Sequence, residues 1–201
     1  MHFFKKFQCD QKLITCLLII IAGWVLVYIG HYYIVPNAKL PILIALSDPT
    51  VHGLVTVCIF FPLLFYKAID FKLFSYVVIV SVLIDIDHSV AAKSFELKEM
   101  LSLENRPISH SLLFSILLGS VISFFAYKAY HIKPIVLTYF FSIALASHVL
   151  RDAIDSNNTP WAYPLNSFPI SAIFYFLLFI SLSFIHLYFG QIERKEIKES
   201  A

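Results

Sequence analysis

Four histidines stand among the neighbours that metal or acid–base chemistry needs. His52 follows Asp48-Pro49-Thr50-Val51, and His88 closes Asp85-Ile86-Asp87-His88. His110 stands in Arg106-Pro107-Ile108-Ser109-His110-Ser111, and His148 leads His148-Val149-Leu150-Arg151-Asp152. Residues three or four apart share a helix face about 5–6 Å from one another, so Asp85 with His88 and His148 with Asp152 each read as a paired carboxylate and imidazole. Asp87 points away from Asp85 on a continuous helix and turns inward only if the helix ends there. Imidazole nitrogen with carboxylate oxygen suits zinc foremost, with manganese or iron as alternatives, and the lack of thiolate disfavours a purely structural zinc. Four histidines and up to three aspartates exceed one tetrahedral shell. They would suffice for a two-metal cluster of the kind that clamps a phosphoryl displacement, or some of the carboxylates orient the imidazoles. One such histidine alone reads as a helix cap or a packing residue; four together with three aspartates favour a metal. His2, His31, His131 and His186 have no acidic partner at helical spacing and read as surface or packing residues.

The elements that must position these groups are membrane helices. The chain of 201 residues is 59% hydrophobic and only 14% charged, with a mean hydropathy of +0.80, whereas soluble domains run nearer 45–50% apolar and about 25% charged. The expected fold is all-α: a polytopic bundle of about six transmembrane helices, near 13–34, 50–66, 71–86, 109–127, 134–150 and 170–189. Pro49, Pro107, Pro134 and Pro169 each precede a run and read as helix starts, while Pro62 is internal and reads as a kink. With the N-terminus inside, ten Lys and Arg fall on the inner side and five on the outer, which predicts N-in and C-in. On that map His52, Asp85 to His88, His110 and His148 with Asp152 lie at the outer ends of four spans and converge on one face. Residues 89–105 read as a short interfacial helix over the rim, and Ser156 to Pro160 as a turn leading to an aromatic cluster of Trp161, Tyr163 and Phe168. Ser109 reads as the cap of the fourth span. The net charge is +2 and the basic residues are scattered, so no nucleic-acid partner is expected. Cys9, Cys16 and Cys58 form no CxxC array and read as reduced thiols.

The four motifs, in this order and spacing, resemble those of the YdjM-like family of predicted membrane-bound metal-dependent hydrolases. The resemblance covers residues 47–170, with Thr159-Pro160-Trp161 and Pro164 similar to the segment after the family's last His-x-x-x-Asp. The family's third motif usually reads His-Arg-x-x-Thr-His-Ser; here Asn105 stands for the leading His and Ser109 for the Thr. Residues 1–46, a basic segment with a first span, are an addition, and 171–201 form the last span and a charged inner tail. The resemblance implies a bacterial inner membrane and a metal centre. With the residue pattern it gives the expected function: a hydrolase of lipid or lipid-linked esters or phosphoesters at the membrane surface, on the extracytoplasmic face. One or two divalent ions would be held by His52, Asp85, His88, His110, His148 and Asp152. Asp87 or Asp155 would be the base, and Arg106 would hold the charged group. The alternatives are a divalent-metal transporter or sensor, and a non-catalytic scaffold. A transport path needs ionisable groups at mid-membrane, and the middles of the six segments are almost free of charge.

Overall fold

The structure is a computed structural model that describes residues 2–103, 106–130, 132–154, 159–165 and 169–199; the side chains of 2–10, 41 and 192–199 are outside the description. The regular secondary structure of the described residues is helical, apart from one isolated bridge between Ile154 and Ile170. Helix α1 (His2–Ile29) runs into a π-helical turn (Gly30–Ile34), followed by α2 (Pro41–Phe65) and α3 (Phe71–Leu83). A 3-10 turn (Ile84–Ile86) leads into α4 (Asp87–Ala92), then α5 (Leu97–Leu101), α6 (Leu112–Tyr130), α7 (Pro134–Asp152) and α8 (Ala172–Glu199). Six stretches are long and apolar enough to cross a membrane: Gln11–Ile34, Ile42–Phe65, Phe71–Ala92, Leu112–Tyr130, Pro134–Asp152 and Ala172–Gln191.

Helix α2 stands at the centre, packed against α1, α3, α7 and α8. Its Val55, Ile59, Phe60 and Leu63 meet Leu73 and Val77 of α3, Phe141, Ala144 and Leu145 of α7, and Tyr175 and Phe179 of α8 in one buried core. The outward face of α6 shows Ile116, Leu117, Val121, Phe124 and Phe125, an apolar exterior that only lipid makes favourable. The inward face of α6 carries Ser115, Gly119, Ser123 and Ala126, a row of small residues that lets two membrane helices approach closely. A Cβ on Gly119 would stand 2.8 Å from the Ser142 backbone nitrogen of α7.

Two helix starts differ from the sequence expectation, and both shape the site. Helix α2 begins at Pro41, so Pro49 is inside it and His52 lies about 16 Å along its axis from the first residue. The polar run Ser47-Asp48-Pro49, expected to precede the span, continues the helix, and its acidic side chain has a buried partner in Arg151. Helix α6 is capped by Ser111, whose hydroxyl accepts from the Phe114 amide at 3.2 Å; Ser109 instead donates to Asp87. The cap expected of Ser109 thus falls two residues later, on Ser111.

Candidate metal centre

The 3-10 turn explains how Asp85 and Asp87 serve one site. Residues two apart are separated by about 160° around an α-helix but only about 120° on a 3-10 helix, so tightening Ile84–Ile86 swings both carboxylates toward α6. His110, just before α6, lies between them: its Nε2 is 3.5 Å from Asp85 Oδ1 and its Nδ1 is 3.1 Å from Asp87 Oδ2. The loop is fixed by the His110 amide donating to Pro107 O and the Leu112 amide donating to Trp161 O. The end of α7 is fixed by Thr159, whose hydroxyl donates to Asp152 O at 2.9 Å.

The four histidines divide into two pairs with opposite use of their nitrogens. His148 directs Nδ1 at the Ser81 carbonyl of α3, 2.8 Å away, and His110 directs Nδ1 at Asp87. Both therefore carry the proton on Nδ1 and present the Nε2 lone pair inward, the arrangement by which outer partners orient metal-binding imidazoles. His52 and His88 turn Nε2 elsewhere: it accepts from Arg151 at 2.5 Å in the first and from Arg106 at 2.7 Å in the second. His88 Nδ1 faces the Asp85 carbonyl and Asp87 Oδ1 at 3.2 and 3.0 Å, and the His52 ring stacks on His148 with centroids 3.5 Å apart.

The inward atoms of Asp85, His110, His148 and Asp152 all lie within 4.8 Å of one another. His148 Nε2 is 3.1 Å from Asp85 Oδ1 and 3.6 Å from Asp152 Oδ2; His110 Nε2 is 3.5 and 3.4 Å from the same two oxygens. Ligands 2.0–2.2 Å from a common ion at tetrahedral angles are separated by about 3.3–3.6 Å, and these four imidazole–carboxylate spacings are close to that size. Two of the four atoms, His110 Nε2 and Asp152 Oδ2, are buried without a hydrogen bond of good geometry; Arg106 faces Oδ2 at 3.4 Å, while the Nε2 lone pair has no donor, a costly state unless something binds there. The charge balance of a metal-bound state, with its histidines neutral, points the same way. Asp48, Asp85, Asp87 and Asp152 oppose Arg106 and Arg151, leaving two negative charges for one divalent ion to neutralise. Burial works against charge on His110, yet the nearby carboxylates of Asp85, Asp87 and Asp152 outweigh it and raise its pKa above the ordinary value. Burial likewise opposes charge on Arg106, but Asp152, Asp48 and Asp85 outweigh it and hold the guanidinium charged. The donor set thus fits a divalent cation.

All the metal-ligand candidates read from the sequence are brought together, with His52 and His88 beside the tetrad and not within it. Arg106 reaches Asp152 Oδ2 at 3.4 Å. Asp87 sits behind His110, and Asp155 lies outside the described residues, as do Asn105 and Phe168. Two site residues were quoted within the sequence motifs but given no role there. Asp48 and Arg151 join over 2.5 Å, and the i+4 spacing of Asp48 to His52 was the available signal. A cavity of about 510 Å³ adjoins the centre, with Asp48, Asp85, His88 and Arg106 in its wall beside Ile44, Ala45, Leu97, Met100 and Leu101. Of residues 89–105, expected as one interfacial helix, 89–92 belong to α4 and only Leu97–Leu101 form α5, which contributes Leu97, Met100 and Leu101 to that rim.

Residues 48–200 match the family model described as YdjM inner membrane protein, and the chain belongs to that family of membrane proteins. No curated protein and no solved structure matches the chain.

Proposed function

We propose that this YdjM-family protein is a membrane-embedded, metal-dependent hydrolase acting on an ester or phosphoester of a lipid or lipid-linked substrate, on the extracytoplasmic side. The observation that carries the proposal is the tetrad close to tetrahedral-edge spacing, two of its atoms buried without a hydrogen bond of good geometry, beside a cavity of mixed polar and apolar lining. Asp85, His110, His148 and Asp152 would hold the ion. A divalent ion there supplies Lewis acidity toward an ester oxygen and makes water a stronger nucleophile near neutral pH. Four protein donors already fill a tetrahedral shell, so hydrolysis favours an ion with a fifth or sixth position: manganese, iron, or zinc in an expanded shell.

The chain's own residues do the rest. Arg106 spends NH1 on His88 and has further N–H groups for a carboxylate or phosphate, whose geometry a guanidinium matches. Asp48 spends Oδ1 on Arg151 and has a second oxygen to take a proton from the attacking water. Water adds to the ester carbon or phosphorus, the bond to the alcohol oxygen breaks, and the departing alcohol regains a proton. Ile44, Ala45, Leu97, Met100 and Leu101 receive the apolar part of the substrate. The test is elemental analysis of protein purified in mild detergent, with His148→Ala and Asp152→Ala alongside, followed by a panel of phospholipids and lipid-linked phosphates. Stoichiometric metal in the wild type alone, with release of a headgroup or phosphate, is expected. Wild type without metal refutes the metal centre. Metal with no lipid cleavage, and metal uptake into proteoliposomes, refutes hydrolysis in favour of transport.

A further inference from the structure

Asp48, His52 and Asp152 form a second group whose ligand atoms lie within 4.8 Å of one another. Asp152 belongs to both groups: Oδ2 faces the tetrad and Oδ1 is 3.1 Å from His52 Nε2. This is the layout of a bridging carboxylate between two ions, as two-metal hydrolytic sites use it. The second position is already taken. Arg151 NH1 stands 2.5 Å from Asp48 Oδ1, 2.5 Å from His52 Nε2 and 3.9 Å from Asp152 Oδ1, in contact with two of the three ligand residues and facing the third. The guanidinium is buried and cannot lose its proton in a protein, so it stays charged beside Asp48 and competes with any second ion for that carboxylate.

We propose that Arg151 is a tethered second cation: the centre takes one divalent ion at Asp85, His110, His148 and Asp152, and the guanidinium fills the place of the other. This rests on the metal-centre reading above. Charge supports it independently, since one divalent ion neutralises the two negative charges left by four carboxylates and two guanidinium groups, and a second would leave two uncompensated positive charges. The arginine also fixes the His52 ring through Nε2, which stacks on His148 and so braces a ligand of the tetrad.

The experiment is manganese titration of full-length, metal-stripped protein in detergent, read by bound metal per chain and by electron paramagnetic resonance. Wild type and Arg151→Lys are expected to bind one ion and give the spectrum of isolated manganese. Arg151→Met is expected to bind a second ion and give the altered spectrum of an exchange-coupled pair. Two ions or a coupled pair in the wild type overturn the proposal while leaving the metal centre standing. A single ion in folded Arg151→Met also overturns it, because removing the guanidinium then frees no site. If Arg151→Met does not fold, the wild-type and Arg151→Lys spectra decide alone. No bound manganese, zinc or iron in the wild type refutes the metal-centre reading itself.

Discussion

Removing the Asp87 carboxylate separates an orienting residue from a ligand or a base. Asp87 Oδ2 accepts from Ser109 and lies 3.1 Å from His110 Nδ1, while Oδ1 lies 3.0 Å from His88 Nδ1. Asp87→Ala leaves the Nδ1–H of a fully buried imidazole unpaired, at a cost of about 1–3 kcal/mol, and frees the ring to turn. Part of that cost falls on the metal-bound state, whose geometry depends on the ring's direction. The two bounds correspond to about a 5- to 150-fold loss of metal affinity, bracketing the roughly 10–100-fold typical when an outer partner of a ligand is removed. The assay is zinc or manganese competition against a chromophoric chelator at fixed pH, with His148→Ala as the ligand-loss reference. Asp87→Ala should still bind one ion, more weakly, and Asp87→Asn, which keeps an acceptor, should lie between it and wild type. Wild-type affinity in Asp87→Ala, or loss as complete as in His148→Ala, would refute the orienting role.

Other consequences are as direct. Because Asp85, Asp87 and Asp152 raise the pKa of His110 against the effect of burial, that proton must leave before an ion can bind. Metal affinity should therefore rise from pH 6 to pH 8, and calorimetry in buffers of different ionisation enthalpy should detect proton release; pH-independent binding would contradict the tetrad. Gly119→Ala places a Cβ 2.8 Å from the Ser142 amide nitrogen and should destabilise the α6–α7 pair by about 1–3 kcal/mol, seen as a lower melting midpoint in detergent. Arg106→Lys should keep the bound metal but lower kcat/KM on an anionic lipid ester by about 10- to 150-fold, the value of about 1.5–3 kcal/mol for hydrogen bonds to a charged group. A neutral ester should be much less affected.

Much of this molecule is legible in its sequence, for reasons that also mark the limits. Lipid imposes length and hydropathy on each span, so six helices and the convergence of the four motifs follow from composition and order. The i+4 spacing of His148 and Asp152 fixes a shared face whatever surrounds it. The start of α2 was hidden because the polar run Ser47-Asp48-Pro49 reads as preceding the span, and Arg151, the buried partner of Asp48, lies 103 residues away along the chain. The division of the histidines was hidden too, because it depends on a backbone carbonyl, Ser81 O, and on two arginines brought in from other segments. Spacing can nominate donors, but it cannot say which nitrogen of a ring is already spent.

The shared carboxylate of Asp152 has a consequence for biogenesis. Its neighbours arrive from α2, the 3-10 turn after α3, the loop before α6, and α7 itself. No two consecutive helices assemble the tetrad, so an inserting chain has no complete set of donors until α7 has entered and docked. On the proposed metal centre, ion capture would then wait for α7 to dock, and the metal content of a preparation would double as a count of chains that had assembled the donors.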